Sequence, residues 1–281
     1  MNNRTTGVGP ITTFRDLHKS GCFVLPNPWD VGTAVYLQHL GFKALATTSA
    51  GFAFSRGLPD AVEAITRDNM LAHIREVVAA TSLPVNADFQ NGYADSPEGV
   101  AANVALCVAT GVAGLSIEDA TENKSEPLYE AGLAVERIKA ARSAIDASGI
   151  PVVLTGRCEA WLVGQADPLW VAIERLVAYA EAGADCLYAP GVSAPDEIAA
   201  IVKAVSPKPV NVLVSRSNPK FSVSQLADLG VRRISVGSAL ALVAWGAFIR
   251  AARSIAEIGS FDTFADAAQY SELDELFSKR G

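Results

Sequence analysis

The stretch PVNADFQNGYADSPEGVAANVALCVATGVAGLSIED, residues 84–119, contains one complete unit of the fold. Its two ends, PVNAD and GLSIED, are short apolar runs that close in acidic residues, a pattern typical of buried strands. The segment between them has apolar residues at helical spacing and ends in a glycine, as many helices do. The stretch therefore predicts a strand, a helix and a second strand parallel to the first.

The same unit recurs along the chain. Short β-branched runs bounded by turn residues occupy eight positions: 22–27, 44–49, 84–88, 114–119, 151–157, 186–191, 209–214 and 232–237. Segments of helical period separate most of them, at residues 30–41, 66–82, 96–111, 131–149, 167–183, 194–206 and 222–230. This alternation favours an α/β fold in which a parallel (β/α)₈ TIM barrel closes on itself. An open dinucleotide-binding sheet is disfavoured, because no G-x-G-x-x-G follows the first strand.

No linker, low-complexity segment or block of charge divides the chain. We expect residues 1–255 to form the catalytic barrel and residues 256–281 to form an extra helical extension at the C-terminus. Apolar side chains of this extension, among them Phe261, Phe264 and Phe277, need a surface to cover. That surface is either the same barrel or a neighbouring subunit.

Composition restricts the class of partner. The 281 residues carry a formal net charge of −7 without a cluster of Lys and Arg, which argues against nucleic acid or an anionic membrane. The N-terminal segment lacks the apolar core of a signal sequence, and the uncharged run of residues 234–249 is short for a membrane span. Four scattered cysteines without a CxxC pair argue against disulfides and zinc. A cytoplasmic protein with a small polar ligand is the expectation.

Polar side chains stand where the predicted strands end. In a TIM barrel these ends share one rim, and the catalytic groups lie there. The candidates are Thr47, Thr48, Ser49, Asp60, Asn86, Asp88, Glu118, Arg157 and Asn211. Any single Asp or Asn after a strand can instead cap a helix or form a turn. That alternative explains one such residue better than it explains the whole set.

The acids of this rim point to a cation. Asp60, Asp88 and Glu118 would repel one another in a dry cleft unless a cation or bound water compensated their charge. Oxygen ligands, with Asn86 adding an amide oxygen and no histidine nearby, favour Mg²⁺ or Mn²⁺ over zinc. No lysine closes a strand, which argues against Schiff-base chemistry.

Two further features of the rim suit an anionic substrate. Arg157 can hold a carboxylate or phosphate through two hydrogen bonds, although pairing with Glu159 or Glu118 would make its role structural. The stretch TTSAG, residues 47–51, offers hydroxyls and closely spaced N–H groups for a carboxylate, or else forms a plain turn. The rim therefore predicts a site for a small anion beside a metal.

With these positions in place, the chain resembles the isocitrate lyase/phosphoenolpyruvate mutase superfamily from about Leu25 to Gly237. The resemblance is carried by LPNPWDVGTA after strand 1, GLPDA in the strand 2 loop, NADFQNGYAD at strand 3, SIEDA at strand 4 and TGRCEA at strand 5. It implies a Mg²⁺-dependent enzyme that binds or forms a 2-oxo acid and stabilises its enolate. It also implies a homotetramer in which the C-terminal helices exchange between barrels.

The resemblance assigns roles to individual residues. Asp60, Asp88 and Glu118 would hold the metal directly or through its waters. Arg157 would bind an anionic group of the substrate, and residues 47–49 would cradle a carboxylate, with Asp60 close by. Asn211, near the end of strand 7, completes the set of catalytic candidates.

Two departures from the family pattern bear on activity. Asn86 stands where relatives carry the first acid of a D-x-D pair, which predicts weaker metal binding. The loop after strand 4 reads ATENKSEPLYE, residues 120–130. There Lys124 matches the lysine of the lyases' K-[KR]-C-G-H segment, and Glu126 replaces its cysteine. Because mutase relatives use a lysine of this loop to contact the phosphoryl group, Lys124 and Glu126 are candidate catalytic residues.

Three functions remain open on the sequence. The first is a phosphonomutase-like isomerase, or a related enzyme, that makes or breaks a C–P or C–C bond next to a 2-oxo acid. The second is a C–C lyase or decarboxylase of an oxaloacetate-like or 2-hydroxy diacid, for which the missing cysteine is no obstacle. The third is an inactive ligand-binding barrel, which the substitution at Asn86 supports.

Overall fold

Eight parallel strands roll into a barrel in the computed structural model, which describes residues 8–218 and 221–279. The strands are β1 (Phe23–Leu25), β2 (Leu45–Ala46), β3 (Val85–Asp88), β4 (Gly114–Glu118), β5 (Val153–Arg157), β6 (Cys186–Tyr188), β7 (Val210–Leu213) and β8 (Arg233–Ser235). All eight lie within the predicted segments, so the TIM-barrel prediction is confirmed. The parts of the predicted N-terminal and C-terminal segments at residues 1–7 and 280–281 lie outside the described residues.

The strands follow one another around the barrel in the order β1-β8-β7-β6-β5-β4-β3-β2. Between β1 and β2, the N–H of Ala46 donates to the carbonyl of Pro26 at 3.0 Å. The register places Glu118 beside Arg157, Arg157 beside Tyr188, and Tyr188 beside Asn211. Polar residues from four neighbouring strands therefore meet on one rung near the rim.

Helices surround the sheet and close its ends. They are α1 (Val8–Leu17), α2 (Val31–His39), α3 (Ser49–Ser55), α4 (Arg67–Ala80), α5 (Pro97–Val108), α6 (Ala131–Ala147), α7 (Pro168–Glu181), α8 (Pro195–Val205), α9 (Val223–Asp228), α10 (Ala239–Ile258) and α11 (Tyr270–Ser278), with a 3₁₀ helix at Asp262–Asp266. Helices α2 and α4 to α9 coincide with the predicted helical segments. The 3₁₀ helix and α11 form the helical extension, whereas α1, α3 and α10 were not predicted.

Helix α1 closes the end of the barrel opposite the rim. Its Ile11 and Phe14 are buried and pack on Phe23 and Val153 inside the barrel. Gly114 makes this possible, because a Cβ there would lie 2.6 Å from the ring of Phe14. With this end filled by apolar side chains, ligands reach the barrel interior from the rim.

Helix α10 carries a large exposed apolar surface. Among the described residues it is the one helix long and apolar enough to cross a membrane by length and composition, and 6% of its most apolar stretch is buried. The uncharged run expected to be too short for a span is thus part of a longer helix, which continues past the predicted domain boundary at residue 255. Val243 and Phe248 are 70% and 61% exposed.

Candidate active site

A cavity of about 190 Å³ opens at the carboxyl ends of the strands. The predicted residues that line it are Thr47, Thr48, Ser49, Asp60, Asn86, Asp88, Arg157 and Asn211. Its wall also contains apolar groups, including Leu25, Leu162 and Leu213, and the ring of Tyr188. The structure therefore gathers most of the rim candidates around one small pocket.

Arg157 is the centre of an ion-pair cluster in this pocket. Its Nη1 lies 3.2 Å from Asp88 and 3.2 Å from Glu118, and its Nε donates to Glu159. Burial opposes the charge of Arg157, but Glu118 and Glu159 outweigh burial and raise its pKa well above the ordinary value. Glu118 is not part of the cavity lining and acts through Arg157. Arg157 therefore pairs with Glu118 and Glu159 and also lines the cavity, so both roles considered for it are compatible.

Negative charge exceeds positive charge in this cluster. Burial is the main cause that raises the pKa of Glu118 to about 8, with Arg157 opposing it and Glu159 adding to it. Burial, followed by the neighbouring Asp88, also raises the pKa of Asp60. Such shifts mark carboxylates whose charge is poorly compensated, and a bound cation would relieve them.

The loop after β2 is tied to Asp88. The N–H of Ser49 donates to Asp88 Oδ2 at 2.9 Å, and the N–H of Asp88 donates to Thr47 Oγ1 at 2.9 Å. Thr48 Oγ1 accepts from the N–H of Gly51 at 3.2 Å and so caps α3. The plain turn considered for TTSAG is thus the start of a helix. Residues 47–49 lie against the acid cluster, but the Ser49 amide is already engaged.

Asn86 holds a free acceptor atom. Its Nδ2 donates to the carbonyl of Ala87 at 3.2 Å, whereas its buried Oδ1 has no partner among the described residues. This Oδ1 is shielded from solvent and lies against Gly114 near the ring of Phe14, so the side chain must rotate to offer it to a ligand in the cavity. No group of three or more Asp, Glu, His or Cys side chains in the described part of the chain is arranged to hold a metal directly. The donors fit Mg²⁺, which retains several waters and takes one or two carboxylates.

The loop between β4 and α6 lies away from the cavity. Lys124 and Glu126 are exposed and do not line the pocket. The loop touches the β2 loop through the N–H of Val62, which lies 3.4 Å from Glu122 Oε1. The structure therefore brings the metal and substrate candidates together but leaves these two catalytic candidates outside.

The segment after β3 keeps the spacing of the family motif, with Asp88 as its first acid. Counted back from Gly92 and Tyr93, D-x-D-x-G-Y-G places its first acid at Asp88 and its second at Gln90, so the expectation that Asn86 stands at the first acid is wrong. Gln90 and Tyr93 take positive φ values of 47° and 56°, and Asn91 Oδ1 accepts from the N–H of Tyr93 at 2.9 Å. Asn91 thus fixes the loop, and Asp88 is the residue of this segment that reaches the cavity with Asn86.

Two buried residues of the site were not assigned from the sequence. Asn27 Nδ2 donates to the carbonyl of Thr47 at 2.9 Å, and its Oδ1 accepts from the N–H of Gly237 at 2.9 Å, which joins β1 to both neighbours. Arg233 lines the cavity and is 2% exposed. The sequence feature that could have identified Arg233 is its spacing of two residues from Ser235 on β8, which puts both side chains on the inner face of the barrel.

The profile of the phosphoenolpyruvate phosphomutase family matches residues 14–256, a range that includes every residue of the cavity. The chain belongs to the phosphoenolpyruvate mutase/isocitrate lyase superfamily. The resemblance inferred from the sequence motifs is confirmed. This superfamily consists of enzymes, among them mutases, lyases and hydrolases.

Individual members of the superfamily are similar over most of the chain. A solved structure from Burkholderia cenocepacia, with a provisional lyase/mutase designation, is 48% identical, covers 96% of each chain and has a TM-score of 0.92. An uncharacterized protein of Mycobacterium tuberculosis is 34% identical over 87% of this chain and 89% of its own. Oxaloacetate acetylhydrolase in complex with the product oxalate is 26% identical, covers 98% of this chain and 96% of its own, and has a TM-score of 0.86.

Proposed function

We propose that the protein is a Mg²⁺-dependent or Mn²⁺-dependent enzyme that makes or breaks a C–P or C–C bond next to the 2-oxo group of a short acid, through an enolate. The observation that carries this proposal is the cavity in which Asp60, Asp88 and Asn86 meet Arg157. Its surplus negative charge suits a cation, and its arginine suits the carboxylate of the substrate.

In this proposal Asp88, Asp60 and Asn86 Oδ1 hold the metal, and Glu118 contributes through water. When bound, the metal supplies positive charge beside the 2-oxo oxygen, where the enolate develops negative charge. Arg157 binds the substrate carboxylate, and Glu159 orients its guanidinium. Residues 47–49 position the same carboxylate from the opposite side of the rim.

A phosphonomutase-like reaction is the first candidate. In that reaction Lys124 contacts the phosphoryl group, which requires the loop of residues 120–130 to close over the cavity. Glu126 would then bring negative charge towards a negative phosphoryl group. The closure itself is a common step in enzymes whose sites lie under mobile loops.

A C–C lyase or decarboxylase of an oxaloacetate-like or 2-hydroxy diacid is the second candidate. The exposed positions of Lys124 and Glu126 favour it, because carbon dioxide can leave without a proton donor from this loop. The similarity to oxaloacetate acetylhydrolase also supports C–C chemistry on a short diacid.

A substrate screen separates these candidates. Phosphonopyruvate, oxaloacetate and methylisocitrate are incubated with enzyme and Mg²⁺, and formation of phosphoenolpyruvate, pyruvate, phosphate and oxalate is followed, because an isomerase releases neither pyruvate nor phosphate. We expect turnover of at least one, and Asp88→Ala should reduce it about 100-fold or more, since it removes a metal ligand next to Arg157. Asp68→Ala, at an exposed site on α4, is the matched control. Unchanged turnover in Asp88→Ala would refute the proposed site.

A metal titration tests the third possibility, an inactive ligand-binding barrel. Mg²⁺ or Mn²⁺, alone and together with oxalate as a mimic of the enolate, should raise the melting temperature, because a ligand that binds the folded state stabilises it. The absence of any shift, combined with a negative screen, would favour the inactive barrel.

We further propose a homotetramer in the cytoplasm that exchanges its C-terminal helices between barrels. The exposed apolar side chains of α10 support this assembly, because an isolated monomer rarely exposes so large an apolar surface. The net charge of −7 supports a small-molecule partner in preference to nucleic acid or an anionic membrane.

A further inference from the structure

Arg233, the first residue of β8, is a buried cation without a carboxylate partner. Its Nε donates to Asn211 Oδ1 at 2.9 Å, and its Nη2 donates to Thr155 Oγ1 at 3.0 Å. Its Nη1 lies 3.4 Å from Nε2 of His18. Within residues 8–218 and 221–279, no Asp or Glu oxygen lies within 4.0 Å of its guanidinium. This arginine therefore differs from Arg157, which has three acidic neighbours.

His18 is a neutral acceptor towards Arg233. Its Nδ1 lies 2.7 Å from the carbonyl of Phe14, which can only accept, so Nδ1 carries the proton and Nε2 presents its lone pair. Burial, and then Arg233, lower the pKa of His18 to about 3, which keeps the ring uncharged. Three neutral groups thus surround the guanidinium, and none of them compensates its charge.

The uncompensated charge faces the cavity. Arg233 lines it together with Asn211 and Ser235. A guanidinium has five N–H donors, and the neutral acceptors occupy three of them, so two remain for a ligand. Because an unpaired buried charge is strongly unfavourable, the arrangement is best explained by an anion that completes it.

The position of Arg233 fits the far end of a short substrate. Its partner Thr155 precedes Arg157 by two residues on the same face of β5, so Arg233 binds one layer deeper, about 7 Å along the strand. The cavity of about 190 Å³ is continuous between the two arginines, since Arg157 and Arg233 both line it. An acid of the size of oxaloacetate can therefore reach from Arg157 at the rim to Arg233 at the floor.

We propose that Arg233 determines specificity by binding the second anionic group, a carboxylate or phosphonate, of a 2-oxo acid whose first carboxylate lies at Arg157. This proposal rests on the proposed function, because it assumes that a 2-oxo acid binds in the cavity. It adds that one residue, Arg233, selects acids with two anionic groups over acids with one.

Calorimetric binding with Mg²⁺ present tests this assignment. Two of the ligands, 3,3-difluorooxaloacetate and phosphonopyruvate, have two anionic groups. The third, pyruvate, has a single carboxylate. In Arg233→Met we expect about 30-fold or more weaker binding of a doubly anionic ligand, and less than about a threefold change for pyruvate. Arg233→Lys should recover much of the loss, because it restores the charge. A loss for one of the two doubly anionic ligands alone identifies the anionic group.

Two further variants serve as controls. Arg232→Met changes the neighbouring arginine, whose Nη1 donates to the carbonyl of Gly21 outside the cavity, and should bind like the wild type. Asn211→Asp keeps Arg233 but gives it a counter-charge, and should also weaken the doubly anionic ligands selectively. This variant tests the assignment even if Arg233→Met does not fold.

The outcomes distinguish this proposal from the proposed function. If the wild type binds these acids but the Arg233 and Asn211 variants lose pyruvate and 3,3-difluorooxaloacetate equally, Arg233 is a structural link and only the present assignment is wrong. If the wild type binds none of the acids with Mg²⁺, the proposed function is wrong and the role of Arg233 is refuted with it.

Discussion

At the scale of the residue, Asn86 places a neutral amide next to the acids of the site. It adds no charge to a cluster in which the negative charges of Asp60, Asp88 and Glu118 already exceed the positive charge of Arg157, and its Oδ1 has no partner among the described residues. An acid at this position would bind a metal more strongly but would be harder to bury without one. The amide therefore favours a stable metal-free protein over tight metal binding.

Asn86→Asp tests whether the amide lowers metal affinity and raises the stability of the metal-free protein. We expect Mg²⁺ affinity to rise about tenfold, because a charged ligand replaces a neutral one. Without metal, the free energy of unfolding should fall by about 1–3 kcal/mol, because the new buried carboxylate lacks a partner. Burial would raise its folded pKa above the unfolded value, so the loss of stability should grow as pH rises. Calorimetry with Mg²⁺ and urea unfolding at several pH values measure both effects.

Asn69→Asp is the matched control for that substitution. Asn69 lies at the exposed start of α4, where an added negative charge stays in water. It should leave Mg²⁺ affinity unchanged and stability nearly so. If Asn86→Asp also leaves Mg²⁺ affinity unchanged, Asn86 Oδ1 does not approach the metal.

At the scale of the element, the sequence predicted every strand because each is a short apolar run with clear turn residues on both sides. Helix α3 was missed because SAGFAFS is too short to show a helical period. Helix α10 was missed because residues 239–249 carry no charged side chain, so its polar positions begin only at Arg250. Both helices affect function, since α3 begins at Ser49 in the candidate carboxylate site and α10 carries the exposed apolar surface.

The site was predictable where a residue ends a strand and not where it depends on tertiary packing. Asp88 and Arg157 follow from barrel geometry, because strand ends share one rim. Arg233 stands at the start of its strand, where the pair of arginines suggests a solvated face rather than the cavity floor. The distance of Lys124 from the cavity is a property of loop conformation, which motif alignment does not encode.

The contact between α3 and α4 contains a buried histidine with an expected effect on acid stability. His73 stacks on Phe52 with ring centroids 4.0 Å apart, and its Nε2 has no partner among the described residues. Burial is the main cause that lowers the pKa of His73 from its ordinary value of 6.5 to about 4. The unfolded chain therefore takes up a proton below pH 6.5 that the folded chain refuses. The stability contributed by the neutral ring is complete above pH 6.5 and is lost towards pH 4.

His73→Leu should remove this dependence. Between pH 6.5 and pH 4 the wild type should lose about 3 kcal/mol more free energy of unfolding than the variant, measured by urea unfolding. Phe52→Leu keeps the imidazole while removing its stacking partner, so it should retain the steep dependence. Identical slopes for wild type and His73→Leu would show that His73 is protonated equally in both states.

At the scale of the whole molecule, α10 presents an exposed apolar face. Trp245 and Phe248 pack edge to face at 5.5 Å on this helix and line a shallow apolar depression with Trp29 of the β1 loop. We expect such a surface to be covered either by another copy of the chain or by a lipid bilayer, since α10 has the length and composition of a membrane span. The two alternatives predict different behaviour of the same variant.

We expect light scattering coupled to size exclusion to show a tetramer of the wild type at micromolar concentration. The double variant Val243→Asp, Phe248→Asp should be monomeric, because each charge buried in the interface opposes association. The separated barrels should melt at a lower temperature, since subunit contacts stabilise the folded state by mass action. Trp170→Asp, which changes a 65% exposed tryptophan on α7, should leave the tetramer intact. A wild-type monomer would refute the assembly, and sedimentation of the wild type with lipid vesicles, abolished in the double variant, would assign α10 to a membrane instead.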